Sequence, residues 1–149
     1  ETVRLSVLEA ASRSPSAQWA SDQGLGSAES DLSIDADNDG KNNLLEYALG
    51  GDPTDGSDGA LFLPTYTLLN DAGTEWMNYV YRRRTDAATH GISYEPKHST
   101  TLDVDSWSST GFTETVTTPI DNDFESVTTR ISVEGIEQLF IQLEIKATG

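Results

Sequence analysis

With 149 residues the chain has room for one domain with a full hydrophobic core, and its 25 acidic residues against 9 basic ones leave a net charge of −16. A field of that sign repels phosphate backbones and anionic lipid surfaces, which argues against nucleic-acid partners and against attachment to such membranes. The absence of cysteine removes disulfide stapling and thiolate chemistry, and no apolar run approaches the roughly 18 residues of a membrane helix.

A modest hydrophobic content of 36%, with Ser, Thr, Asp and Gly abundant, suits strands joined by many turns better than a helical bundle. Residues 2–8 (TVRLSVL) alternate Val3, Leu5 and Val7 against Thr2, Arg4 and Ser6, which predicts a strand. Residues 10–15 read as a connection. Residues 16–25 have a helix-compatible composition, with Trp19 as apolar anchor and Gly24 as the stop. Residues 27–33 are a polar approach to the segment DADNDGKNNLLE at 35–46. Beyond it, NNLLEYALGG predicts a short helix with Leu44, Leu45, Tyr47, Ala48 and Leu49 as its apolar stripe and Gly50-Gly51 at its end. DPTDGSDG at 52–59 is a turn-rich linker. From there strand patterns follow at 61–69, 75–84, 91–98, 111–118, 124–133 and 138–146, separated by turn signals such as Asn70-Asp71-Ala72-Gly73 and Asp121-Asn122-Asp123. In the last of them Leu139, Ile141, Leu143 and Ile145 share one face, which is expected to be core. The chain begins at Glu1 rather than Met and shows no signal peptide, so it reads as a segment of a larger, processed protein.

The segment at 35–46 carries the strongest chemical signal. A twelve-residue calcium loop takes ligands from positions 1, 3, 5, 7, 9 and 12, with glycine at 6 for a sharp turn. Those positions are Asp35, Asp37, Asp39, Lys41, Asn43 and Glu46, with Gly40 at the turn. Aspartates at alternate residues aim hard anionic oxygens at one point. Lys41 is expected to offer its backbone carbonyl and leave its ammonium in solvent, Asn43 to act through a water, and Glu46 to reach back from the helix with both oxygens. That bidentate reach favours Ca2+ over the smaller, strictly octahedral magnesium. One loop and a single Met point to a structural rather than a sensing ion. Asp52, Asp55 and Asp58 follow at three-residue spacing. They suit a solvated linker better than a second site, since no Glu or Gly spacing completes a loop; an extra oxygen for the first ion is the alternative reading.

With these residues in view, WASDQGL at 19–25 followed by DADNDGKNNLLEYALGGDP at 35–53 resembles the calcium motif of large secreted bacterial proteins of planctomycete and verrucomicrobial type. In those proteins the motif stands near the C-terminus, often behind polysaccharide hydrolases, lyases or sulfatases. The loop itself is similar to dockerin and thrombospondin type 3 calcium loops. Downstream, YVYRRRTDAATHGISYEPKHSTTLDVDSW at 79–107 looks like the same family's arginine-rich strand, Tyr-Glu-x-x-x-Ser strand, and following Leu and Trp. Lys41 departs from the Leu often found there, but only a backbone oxygen is needed at that position. A dockerin carries two such loops and this chain one, so the resemblance does not extend to cohesin binding. It implies an accessory module of a secreted enzyme.

Nothing predicts catalysis. There is no Gly-x-Ser-x-Gly and no Cys, and His90 and His98 lack zinc-like spacing. For carbohydrate, which needs aromatic faces and planar polar groups, the candidates are Trp76, Tyr79, Tyr81, Arg82, Arg84 and Trp107. Along β-period spacing Met77, Tyr79, Tyr81 and Arg83 share one face and Trp76, Asn78, Val80, Arg82 and Arg84 the other, and either could be core. Guanidinium forks suit carboxylated or sulfated sugars, whereas pairing with the many nearby acids is the plainer role for the arginines. For Trp19 and Trp107 a core role is the plainer one. The whole predicts a mainly β protein: an antiparallel β-sandwich (60–149), an N-terminal helix–calcium loop–helix with its linker (16–59), and a leading strand and connection (1–15). Its expected function is that of a non-catalytic, secreted or cell-surface, monomeric module that binds polysaccharide beside parent enzyme domains on the same chain. The alternative is a structural spacer, surface attachment or secretion-related module without glycan affinity.

Overall fold

The computed structural model describes residues 13–58 and 62–148; the strand predicted at 2–8 lies outside them. Two helices and six strands run in the order α1 (Pro15–Asp22), α2 (Asn43–Leu49), β1 (Thr65–Asp71), β2 (Thr74–Arg84), β3 (Ile92–Ser99), β4 (Thr113–Pro119), β5 (Phe124–Ser132) and β6 (Phe140–Ala147). The protein is mainly β, and each predicted strand from residue 61 onward has its counterpart. No helix among the described residues is long and apolar enough to cross a membrane.

The strands form two antiparallel sheets, one ordered β1-β2-β5-β4 and the other β3-β6. The β1–β2 hairpin closes through Ala72 and Gly73, whose φ values of 54° and 85° match the right-handed strand twist in a two-residue turn. On β2 the structure selects between the two faces: Met77, Tyr79 and Tyr81 are buried. Tyr79 and Tyr81 join Val127 of β5 in a cluster that receives Tyr94 of β3 and Ile141 and Leu143 of β6, so side chains of both sheets meet there. Each such side chain taken out of water contributes about 1.5–3 kcal/mol. The outer strands β1 and β4 are exposed almost throughout.

A second cluster holds the helices to the sheets. Tyr47 and Ala48 of α2 pack on Ile92, with Trp19 of α1, Tyr94 and Ile145 around them. The Tyr94 hydroxyl donates to the Ala48 carbonyl and accepts from the Arg84 amide, tying α2 to β2 and β3. Both helices start at side-chain caps, Ser14 before Pro15 and Asn42 accepting from the Leu45 amide. α2 ends at Gly50, whose φ of 87° is the left-handed cap conformation.

One expectation is not supported. α1 ends at Asp22, well before Asp35, so no helix leads into the acidic loop. Gly24, Gly26 and the Ser/Asp-rich stretch that follows form successive turns instead, with Glu29 N–H bonding Gly26 O and Ile34 N–H bonding Asp31 O. The loop is closed at its base by backbone bonds from Asn43 to Ile34 (2.7 Å) and from Leu44 to Leu32 (3.0 Å).

Candidate functional site

The acidic loop folds inward because its backbone turns sharply twice. Asn38 (φ 62°) and Gly40 (φ 93°) both adopt the left-handed region, and only glycine does so without strain at the second. Backbone amides then hold the aspartates. Asp35 accepts from the Asp39 amide (3.1 Å) through Oδ1 and from the Gly40 amide (2.8 Å) through Oδ2. Asp37 Oδ1 accepts from the Asp39 amide, and Asp39 Oδ1 from the Lys41 amide. Oxygens of Asp35, Asp37 and Asp39 lie within 4.8 Å of one another, and so do oxygens of Asp39, Glu46 and Asp58. That span is about twice a calcium–oxygen bond of 2.3–2.6 Å, so either triplet can share one ion.

Four buried side-chain oxygens have no hydrogen-bond donor among the described residues: Asp37 Oδ2, Asn43 Oδ1, Glu46 Oε1 and Asp58 Oδ1. All belong to the loop or to the segment that follows α2. An unpaired buried oxygen costs free energy, and a buried carboxylate costs more. Glu46 is only 2% exposed. Burial, together with the charges of Asp58, Asp39 and Asp37, pushes its carboxyl up from 4.5 to about 7, against a smaller opposing pull from Lys41. Asp37 is raised too, first by burial and then by Asp39 and Asp35. Gly51 makes the room for this arrangement, since a Cβ there would lie 1.6 Å from Glu46 Oε2. An oxygen-only, multiply anionic donor set with space reserved for a carboxylate fits a hard divalent cation.

Lys41 behaves differently from expectation, and Asn43 carries a duty beyond the one expected of it. The Lys41 ammonium is not left in solvent: Nζ lies 2.7 Å from Asp39 Oδ2, drawn to the nearest carboxylate of a crowded group. Asn43 is fully buried, and its amide nitrogen donates to the Glu29 and Asp31 carbonyls (2.6 and 2.8 Å), so its first duty is to pin the approach segment to α2. The three aspartates downstream part company. Asp52 caps Thr54 and Asp55 caps Ser57 in local turns, while Asp58 joins the cluster. The three-residue spacing carried no sign of which one would turn inward.

The aromatic and arginine candidates do not form one surface. Tyr79 and Tyr81 are buried in the cluster they share with Val127, Tyr94, Ile141 and Leu143, and present no binding face. Trp76 is half-buried beneath the Arg130 guanidinium, 4.1 Å from its ring, and Trp107 is half-buried after a short 3-10 turn at Val104–Ser106. Arg83 pairs with Glu125 (3.0 Å) and Glu114 (3.2 Å), as the excess of acids suggested. Arg82 lies over the Phe62 and Phe124 rings. Arg84 is 7% exposed, wedged between Tyr47 (4.1 Å) and Phe124 (4.7 Å), with Nε donating to the Tyr47 carbonyl at 2.7 Å. It lines a groove of about 450 Å³ with Trp19, Gln18, Gln23 and His90 between α1 and the end of α2. Among the described residues no carboxylate lies within ion-pair distance of it. Sequence reasoning named Arg84 but not this groove, because α1 is distant from β2 in the chain.

Comparison with protein-family models, with curated proteins and with solved structures finds no match.

Proposed function

We propose that this protein is a non-catalytic, calcium-binding accessory module of a secreted bacterial protein, with its two sheets packed as a β-sandwich and the ion fixing the acidic loop to α2. The observation that carries the reading is that Asp37, Glu46 and Asp58, each with a donor-less buried oxygen, belong to two carboxylate triplets that share Asp39. An oxygen-only donor set in a glycine-turned loop is what Ca2+ uses, and its flexible 6–8-coordination accepts a mixture of mono- and bidentate carboxylates where Mg2+ does not. The sandwich is supported by the cluster that draws Tyr79, Tyr81 and Val127 from one sheet and Tyr94, Ile141 and Leu143 from the other. Secretion and the absence of catalysis rest on the sequence resemblance and on the lack of a nucleophile motif.

At free calcium about 100-fold above its dissociation constant, binding stabilises the fold by roughly 2.7 kcal/mol, which for a chain of this size is roughly 5–10 °C in melting temperature. Chelation should lower the transition by that amount, and Asp35→Ala should abolish the response. A melting curve indifferent to exhaustive chelation, with elemental analysis showing the metal gone, sinks the reading.

The task of the module is glycan binding, supported by the groove beside Arg84. A guanidinium with one donor committed to the Tyr47 carbonyl, next to the half-buried Trp19 ring and two glutamine side chains, suits a carboxylated sugar, against the opposing charges of Asp22 and Asp123 on the same lining. Affinity electrophoresis on neutral and uronate polysaccharides discriminates this from a plain spacer. Retardation on the uronate, weakened in Arg84→Gln and in the exposed rim variant Gln18→Ala, supports the groove. Unretarded migration on every glycan leaves the spacer, surface-attachment or secretion role.

A further inference from the structure

We propose that Asp58, outside the twelve-residue loop, is a direct ligand of the loop's cation, so that the segment 52–58 folds over the loop as a strap closed by the ion. The inference rests on the calcium reading of that loop and extends it to a residue the loop pattern does not contain.

Asp58 is held in an unusual way. Its Oδ2 accepts from the Asp52 amide at 2.7 Å, which fixes the carboxylate across the strap. Its other oxygen, Oδ1, is buried and has no donor among the described residues. That carboxylate stands within 4.8 Å of ligand oxygens of Asp39 and Glu46, the fifth and twelfth residues of the loop. A trio of carboxylates is by itself only a concentration of charge. What points to a ligand is Glu46, 2% exposed, with Oε1 unpartnered inside the same trio. Two buried oxygens from separate segments, each lacking a donor and each on a carboxylate that shares one cluster with Asp39, are balanced by a cation and by little else. Lys41 supplies one positive charge, and it is spent on Asp39 Oδ2.

The strap is shaped to lie there. Asp55 N–H bonds Asp52 O, and the Asp52 and Asp55 carboxylates cap Thr54 and Ser57, giving two consecutive turns that bring Asp58 back toward α2. Gly56 passes close over the loop, where a Cβ would stand 3.2 Å from Asp39 Cβ and 3.6 Å from the Asp37 carbonyl oxygen. Pro53 is fully buried at the strap's start. Asp52 and Asp55 spend their carboxylates locally and Asp58 does not, which is why only the last of the three is assigned to the ion.

Calcium titration calorimetry on the whole chain tests this, with hydrogen exchange of the strap amides as a second readout. Wild type is expected to bind one Ca2+. Asp58→Asn, which keeps an oxygen for the Asp52 amide, should weaken it about tenfold, in keeping with the dependence of affinity on ligand charge. Asp55→Asn should leave affinity within about twofold, as expected for an exposed residue outside the coordination sphere. Calcium should slow exchange at residues 56–58 in wild type but not in Asp58→Asn. Unchanged affinity in Asp58→Asn, alongside Asp35→Ala that no longer binds, overturns the strap and leaves the calcium loop standing. Two ions per chain, with Asp58→Asn removing one and sparing the other, also overturns it. A wild-type chain that binds no calcium overturns both readings together.

Discussion

Two places in this molecule are buried to the same degree and for opposite reasons. Tyr81, 5% exposed, sits among Tyr79, Val127, Tyr94 and Leu143, groups that leave water at a gain. Glu46, 2% exposed, sits among Asp39, Asp58 and Asp37, groups that leave water at a cost. The first region is stable because it is buried. The second is stable to the extent that something positive is buried with it. Low exposure alone therefore says nothing about where the free energy of folding comes from; the chemistry of what is buried does.

The largest test of that contrast is Tyr81→Ala. Truncating a buried aromatic side chain costs about 3–5 kcal/mol, a large share of the 5–15 kcal/mol typical of a domain. Thermal melts should show this loss equally with calcium and with chelator, leaving the calcium-induced shift intact. If the shift shrinks in proportion to the loss, the two regions are one cooperative store and the contrast fails.

Adjacent glycines allow a finer cut. Gly50 has φ 87°, and a Cβ there would meet the Phe124 ring at 3.1 Å, so Gly50→Ala strains the helix cap and the core at about 1 kcal/mol or more. That cost should be independent of calcium. Gly51 is free of the left-handed constraint, but a Cβ there would fall 1.6 Å from Glu46 Oε2. The carboxylate at the end of a flexible side chain must swing away, while the backbone need not. Gly51→Ala is expected to lose most of the roughly 2.7 kcal/mol that saturating calcium supplies, with metal-free melting close to wild type. Paired melts of the two variants, with and without chelator, check this; equal behaviour would mean that the glycines serve only the cap.

How much of this was legible beforehand follows from the range of the interactions concerned. The strands from residue 65 onward follow period-two alternation between local turn signals, and their bounds differ from the sequence expectation by a few residues. The helix end at Gly50 was likewise local, whereas the N-caps Ser14 and Asn42 were not named. Which face of β2 is buried was not, because Tyr79-Tyr81 and Trp76-Arg82 are equally plausible until β6 is known to lie across the first. The first helix, expected at 16–25 with Gly24 as its stop, is close to the observed Pro15–Asp22; what has no support is its grouping with the acidic loop as a helix–loop–helix, because the turns at 24–34 separate the two. In the site, the alternating aspartates were readable because one backbone carries them. Asp58 and the Arg84 groove were not singled out, since each depends on segments meeting in space.

The last test probes the charged region alone. The Glu46 carboxyl is raised from 4.5 to about 7 in the folded chain without metal, chiefly by burial. A raised acid pKa means that the folded state holds a proton the unfolded state has already lost. Between about pH 4.5 and pH 7 this group therefore makes metal-free stability fall as pH rises, with its full penalty present above pH 7. Asp39, Glu114, Asp121 and Glu144 are shifted the other way, each by hydrogen bonds that favour the charged form. They give stability that is present at neutral pH and lost in acid, so the raw pH profile is a sum of opposite slopes. Subtracting the profile of Glu46→Gln, recorded in chelator, isolates the first contribution: wild type should lose stability relative to the variant as pH rises from 5 to 7.5. Saturating calcium should reverse the order at pH 7.5, because the ion requires the carboxylate that the empty protein resists forming. Parallel profiles in chelator would mean that the Glu46 carboxylate is solvated, and the opposition between an apolar core and a charged one would lose its charged half.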